Sequence, residues 1–454
     1  MPIQSINPAT GEVIKQFTEL TADELEQKVE LAARTFETWR KTSFAERAEL
    51  MKKVATDLRA RKQELGALVT QEMGRPITYA LAEVEKCAWA CEYYATDAER
   101  LLQPELIPTD ASQSGVRFDP LGVVLAVMPW NFPLWQVIRF AAPALMAGNV
   151  GVLKHASSVP QCALALEDLF VRAGFPAGVF QTLLISASKV EGLVQDDRIV
   201  AATLTGSEYA GTQLAAACGK AVKPVVLELG GSDPYIVLAD ADVRAAADLT
   251  MTARFQNAGQ SCIAAKRFIV VREVAEEFLA RVKEVTAALV VGDPMLPETQ
   301  MGPLFSEQGV KDIEKQLNAS ILLGAQVVLG GKRKPGQGFF FEPTVVVKVT
   351  ADMPIWKEEV FGPVLPVMVV ESEDEALRVA NASRFGLGAS VWTHSPETAN
   401  RFTRELQAGA VFVNGMVKSD PRLPFGGIKK SGLGRELGEY GIKSFVNAKT
   451  FWIK

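Results

Sequence analysis

The chain has 454 residues, with 48 Lys and Arg against 53 Asp and Glu. At about 150 residues per folding unit, that length predicts roughly three units, or two large ones with an appendage. A composition of 48% apolar and 22% charged residues excludes global disorder, and a net charge of −5 leaves no basic excess for holding a nucleic acid.

In chain order, the opening MPIQSINPATGEVIKQF carries Glu12 and no apolar run, so neither a signal nor a transit peptide is expected. Helices follow to about residue 101, two of them starting at the capping-box patterns Thr21-x-x-Glu24 and Ser43-x-x-Glu46. Cys87 and Cys91, one helical turn apart with no second Cys/His pair, read as packed helix residues rather than half a metal site. Ser112–Phe118 is strand-like. The longest charge-free stretch, Pro120–Ile138, holds three prolines, Asn131 and Gln136, which breaks any membrane helix. From Leu121 onward, short apolar runs (Val123–Met128, Val150–Leu153, Val179–Ile185, Val200–Leu204, Val225–Leu229) alternate with helical stretches. That alternation predicts right-handed crossovers and a parallel sheet covered on both faces. After Gly230-Gly231 a second series begins, with strands near Pro234–Leu238, Phe268–Val271, Val327–Leu329, Val367–Val370 and Ala410–Asn414.

The expected fold is therefore α/β, with two parallel-type domains and a cleft between them. Residues 1–101 and 121–229 form the first, to which 431–445 returns, and 230–430 form the second. Segments 102–120 and 446–454 are strands that cannot bury themselves alone, so they are expected to pair with a partner subunit in a homodimer or tetramer. Five Cys without framework spacing point to a reducing, cytoplasmic setting. Only two His argue against a His-rich metal centre, and no metal is expected; any His-based triad must use His155 or His394.

Several residues could carry chemistry. Cys262 ends Gln256-Asn257-Ala258-Gly259-Gln260-Ser261-Cys262, a sharp loop that would present the thiol, before a helix whose amides would favour a thiolate. It also reads as an ordinary buried Cys. Glu228 closes an apolar strand at the ligand end of a sheet, as a base whose affinity for protons rises on burial, or as a carboxylate capped by the Gly230 and Gly231 amides. With so few His, a carboxylate must supply any base. Asn131, directly after Val123–Met128, could donate to an oxyanion together with the Cys262 amide, or be a turn Asn between prolines. No G-x-G-x-x-G follows a strand, and the Gly206–Thr212 segment lacks the Walker Lys. Gly206 and Ser207 still open a helix after a strand, where a diphosphate could sit. Lys154 and Ser157, at the next strand end, offer a cation and a hydroxyl to an adenosine ribose; a solvated loop would look the same.

Together these residues resemble the aldehyde dehydrogenase superfamily, from Asn7-Pro8-Ala9-Thr10-Gly11 to Val446–Thr450. The ordered motifs are PWNFP at 129–133, TGS at 205–207, ELGG at 228–231, GQSC at 259–262, EEVFGP at 358–363 and PFGGIKKSGLGRE at 424–436. The resemblance implies a Rossmann-like cofactor domain beside a catalytic domain. It implies that Cys262 attacks an aldehyde, that Asn131 and the Cys262 amide hold the oxyanion, and that Glu228 activates the water that hydrolyses a thioester. Pro129, Trp130, Lys154, Ser157, Gly206, Ser207, Gly230, Glu359 and Phe361 would line the cofactor, with Glu359 on the nicotinamide ribose and Phe361 beside the ring. Glu436 would assist proton transfer.

Many NAD-preferring members have Glu where this chain has Ser157. An uncharged Ser157 beside Lys154 leaves room and charge for a 2′-phosphate, so NADP is expected over NAD, and Ser157→Glu should shift the preference back. The pattern PWNFP-x-W-Q-x-x-R, ending at Arg139, is similar to that of the succinate-semialdehyde dehydrogenases. It implies a small aldehyde bearing a carboxylate, paired by Arg139, with Ser419 and Ser261 nearby and Trp135 as a wall. Two departures stand out: a second Arg found six residues before the nucleophile in some such members is Gln256 here, and a Cys found two residues after it is Ala264, so no disulfide switch is expected. Arg139 also reads as a salt-bridge residue, the substrate as another small or aromatic aldehyde, and the chain as a catalytically silent scaffold on this fold.

Overall fold

The computed structural model describes residues 3–454. The helices Ala22–Trp39 and Phe44–Ala60 begin as the capping boxes predict. The Glu24 amide donates to Thr21 Oγ1 (3.2 Å), and Glu24 Oε2 accepts from the Thr21 amide (2.8 Å). Ser43 and Glu46 repeat the exchange. These helices, with Lys62–Met73 and Ile77–Leu101, pack onto the first sheet and share one apolar core with it. Cys87 and Cys91 are buried in that core.

The first sheet has six strands, in spatial order Gly432–Leu433, Val225–Glu228, Ile199–Thr205, Val123–Met128, Val150–His155 and Phe180–Thr182. All pairs are parallel except Gly432–Leu433, which returns antiparallel beside Val225–Glu228. The chain starts at Val123–Met128, builds to one side, then crosses back to Ile199–Thr205. Ligands bind outside the carboxyl ends of strands at such a reversal, and these two strand ends carry Pro129-Trp130-Asn131 and Gly206-Ser207.

The second sheet has seven strands, in spatial order Gln326–Leu329, Thr344–Val347, Val364–Val370, Ala265–Val271, Asp233–Val237, Gly388–Trp392 and Ala410–Val413. Only the Gln326–Leu329 edge runs antiparallel. Its core is a separate apolar cluster. Two of its strands are not among those predicted: Thr344–Val347, a β-branched run as long as the predicted edge Gln326–Leu329, and Gly388–Trp392, whose Gly-Ala-Ser opening hides it.

The two strand-like segments, expected to pair with a partner subunit, pair with each other within the chain. Val446–Ile453 lies antiparallel to Gln113–Pro120, which also pairs with Glu105–Leu106. Eight residues in register satisfy the backbone that each segment would otherwise leave open. The outer edge of Val446–Ile453 stays unpaired within the chain. Among the described residues, no helix is long and apolar enough to cross a membrane.

Candidate active site

Cys262 lies where the two halves meet. Helix Val243–Phe255 runs into a tight turn, Gln256–Gly259, with Asn257 at φ 56° and Ala258 at φ 52°. A left-handed Ala costs roughly 1–2 kcal/mol, so the turn must be held from outside. The Asn257 side-chain amide donates to the carbonyls of Asn131 (3.0 Å) and Gln260 (3.1 Å), and Gln260 Oε1 accepts from the Phe305 amide (2.8 Å). Gly259 is required at φ 74°, since a Cβ would lie 2.3 Å from the Gly362 carbonyl.

The chain after Cys262 enters the strand Ala265–Val271, not the expected helix. No helix amides therefore favour the thiolate. Instead Lys266, fully buried, donates to the carbonyls of Ser261 and Cys262, both at 2.7 Å, and lies 3.3 Å from Glu359 Oε1. Lys266 and Arg139 pull the thiol pKa down, but burial outweighs them and pushes it up to about 12.

Asn131 is brought to this loop. Its Nδ2 donates to the Gln260 carbonyl (3.1 Å), leaving a second N–H, and its Oδ1 has no partner. His155 fixes the Asn131 loop from behind. Its Nδ1 accepts from the Ala156 amide (2.9 Å), so its Nε2 carries the proton and donates to the Pro133 carbonyl (2.9 Å). Burial lowers its pKa to about 4. A neutral ring with both nitrogens engaged is a tether, not a triad base.

Glu228 ends its strand buried, and neither carboxylate oxygen has a partner. The Gly231 amide, one of its expected caps, donates to Glu359 instead (3.1 Å). Gly426 packs so closely that a Cβ there would lie 2.5 Å from Glu228 Oε1. Burial raises the Glu228 pKa well above the ordinary value, and the charge of Glu436 raises it further. Glu436 is itself buried and ion-paired with Arg139, whose Nη2 donates to Thr205 Oγ1 (3.0 Å) and whose guanidinium lies over Phe425. The sequence suggests Arg139 and Glu436 for separate tasks, but the structure joins them. The charge of Arg139, expected to be free for a substrate, already has a carboxylate.

On the other side of Cys262, Trp130 stacks on Phe305 (centroids 4.0 Å) and meets Phe361 edge-on (5.9 Å). Gly230 gives Glu359 its place: a Cβ there would lie 2.1 Å from Glu359 Oε2. Pro129 begins the turn that carries Trp130. Ser207 caps the fourteen-residue helix Glu208–Ala221 after Gly206. Lys154 is buried at its strand end, its pKa lowered by that burial, and forms no ion pair among the described residues. Ser157 is half-buried, and no acidic residue occupies the two positions on either side of it. A buried cation with no ion pair, with only Glu19 acting on it from a distance and an uncharged hydroxyl three residues on, fits a phosphorylated adenosine ribose.

Cys262 also lines a cavity of about 180 Å³, smaller than a drug-sized pocket. Trp135, Arg139, Gln256, Ser261 and Ser419 share its wall. Three further residues, unmarked by any motif, belong there. Glu83 is buried on helix Ile77–Leu101, where its Oε1 accepts from the amides of Leu134 (3.0 Å) and Trp135 (2.9 Å). Arg75 reaches Glu83 Oε2 (2.6 Å). Lys86 Nζ lies 4.4 Å from the Trp135 ring centroid and donates to Ser419 Oγ (2.7 Å). Their one signal in the sequence is the Glu83/Lys86 spacing, which puts both on a single helix face.

The sequence pattern of the aldehyde dehydrogenase family matches residues 1–451. A probable succinate-semialdehyde dehydrogenase (NADP(+)) of Synechocystis sp. is 53% identical over 453 residues, covering 100% of both chains. Succinate-semialdehyde dehydrogenase (NADP(+)) 1 of Mycobacterium tuberculosis is 52% identical over 458 residues, again 100% of each. The crystal structure of succinic semialdehyde dehydrogenase from Streptococcus pyogenes in complex with NADP+ matches 99% of both chains, with a TM-score of 0.97 at 39% identity.

Proposed function

Because this chain belongs to the aldehyde dehydrogenase family, we propose that it oxidises succinate semialdehyde to succinate with NADP as hydride acceptor. One observation carries the substrate: the cavity lined by the Cys262 thiol also carries Arg75, Lys86, Arg139 and Lys418 but, among the described residues, one carboxylate, Glu83, so its wall holds an excess of positive charge. A carboxylate at one end of a short aldehyde suits such a wall.

Cys262 is the nucleophile in this reading: its thiol proton passes to ionised Glu228 and on to solvent as a bond forms from sulfur to the aldehyde carbon. The free N–H of Asn131 and the Cys262 amide hold the resulting oxyanion; loss of one such donor typically costs about 3–4 kcal/mol of barrier. Bound NADP supplies a nicotinamide ring that accepts hydride from that carbon. Glu359, held by Lys266 and the Gly231 amide, would hold the nicotinamide ribose, and Trp130 and Phe361, in edge-on contact with each other, would bind beside it. Lys154 and Ser157 would receive the 2′-phosphate, and Gly206 and Ser207 the diphosphate. Glu228, unpartnered and proton-avid, takes the proton of the water that cleaves the Cys262 thioester. Arg139, Ser419 and Ser261 face the distal part of the substrate, with Trp135 as its wall.

A cytoplasmic setting suits a nucleophile that must stay reduced, as Cys262 is here along with the other four cysteines. A homodimer or tetramer is the proposed assembly, since the small sheet leaves Leu106, Trp452 and Ile453 exposed beside an open edge.

An absorbance assay at the reduced-nicotinamide band, run over succinate semialdehyde, propanal and benzaldehyde with each cofactor, tests this. The expected result is the highest kcat/KM for succinate semialdehyde with NADP, and a shift toward NAD in Ser157→Glu. A wild type that favours NAD, or that turns over propanal as well as the acid, overturns the corresponding half.

A further inference from the structure

We propose that Lys86, on the helix Ile77–Leu101, is a specificity-determining residue that binds the distal carboxylate of the substrate together with Ser419. The inference rests on the acidic-aldehyde reading above and adds the group that receives the charge.

The charge balance of the cavity leads to it. Of the cations in the wall, Arg75 is ion-paired with Glu83 and Arg139 with Glu436. Lys418 lies at the exposed rim. Glu83, the only acidic residue among the described ones lining the cavity, commits its oxygens to Arg75 and two backbone amides, so it attracts Lys86 from a distance without forming an ion pair with it. Among the described residues, no carboxylate oxygen lies within ion-pair distance of Lys86 Nζ.

Geometry gives the same answer. The Lys86 stem passes along Trp135, and the ammonium sits 4.4 Å from the ring centroid, so cation and wall are one surface. An ammonium has three donors; one meets Ser419 Oγ at 2.7 Å, and the others remain for a ligand. Having accepted from Lys86, the Ser419 hydroxyl can donate its own proton. A carboxylate placed at this pair therefore receives one hydrogen bond from the ammonium and one from the hydroxyl. Gln256 lines the same cavity without a charge. Lys86 supplies from another element the positive charge that Gln256 lacks.

The groups facing Lys86 are Arg139 from the neighbouring helix, Arg75 from the preceding loop, Tyr79, Glu83 and Cys87 on its own helix, and Asp420 beyond Ser419. Burial first, then Arg139 and Arg75, lower its pKa to about 8. Succinate semialdehyde should thus bind more weakly above that pH.

Lys86→Met keeps the stem over Trp135 and removes the charge; Lys86→Arg restores a cation. With saturating NADP, KM and kcat are measured for succinate semialdehyde and for butanal, a neutral aldehyde of the same carbon count. Lys86→Met should raise KM for the acid at least about tenfold and leave its kcat and both butanal constants within about twofold, and Lys86→Arg should recover most of the loss. In the wild type, KM for the acid should climb above about pH 8 while KM for butanal stays flat. Equal losses on both aldehydes, an unchanged KM for the acid in Lys86→Met, or parallel pH profiles in the wild type overturn the role. A wild type that does not prefer the acid over butanal overturns the substrate reading instead, whatever the variants do.

Discussion

In the proposed mechanism Glu228 must shed its proton before it can accept one from water, so the pH at which turnover begins is set by what surrounds it. Burial raises its pKa first, the charge of Glu436 raises it further, and Arg139 opposes both. Glu436→Gln removes the like charge and leaves Arg139 without its carboxylate. Both changes favour the ionised base, so the acid limb of the kcat–pH profile should move down by about one unit. A limb that stays where it was would falsify the coupling, and loss of turnover at every pH would give Glu436 the proton-transfer role. At this scale Cys262, Glu228 and Asn131 are legible in motifs because each lies in a short run of defined chemistry. Lys86 is not: its meaning depends on Ser419, 333 residues along the chain. The pairing of Arg139 escapes the sequence for the same reason, since Glu436 reaches it only through the fold.

At the scale of elements, one carboxylate organises the floor of the cavity. Glu83 sits on the helix Ile77–Leu101 yet caps the helix Trp135–Met146 through its Trp135 and Leu134 amides, and neutralises Arg75. Glu83→Gln keeps an acceptor for the amides but strands a buried guanidinium. It should cost about 3–5 kcal/mol, read as a lower urea midpoint. A loss below about 1 kcal/mol would show that Arg75 has another way to be accommodated. The elements themselves are readable where physics leaves a local mark. Val123–Met128 is a continuous apolar run because neither of its faces meets water. Thr344–Val347 is a β-branched run as long as the legible edge strand Gln326–Leu329, so its omission from the predicted series has no cause in its length or composition. The segment after Cys262 is ambiguous in sequence because Gly-rich turns precede strands as well as helices, and here the strand wins.

Across the whole molecule, the chain is organised as the alternation of runs suggests, two α/β halves with the chemistry between them. The small three-stranded sheet is the part composition cannot place. Two segments that cannot bury themselves alone find each other from distant parts of the chain, Gln113 opposite Ile453 and Pro120 opposite Val446. What they leave open is one strand edge with Trp452 and Ile453 about half exposed. Trp452→Asp with Ile453→Asp should lower the mass found by light scattering to that of one chain. A wild type that already runs as a single chain at micromolar concentration sinks the assembly proposal.

Glu228 ends the last parallel strand of the first sheet, and Cys262 precedes a strand of the second, with Gly230-Gly231 the bridge between them. The proposed nucleophile and its proposed base are thus inherited on different halves of the gene. A recombination event at that bridge gives the offspring its base from one parent and its thiol from the other. Such a hybrid keeps both groups intact, so its activity turns on whether the junction residues match, above all Asn131 with Asn257, Arg139 with Glu436, and Lys86 with Ser419.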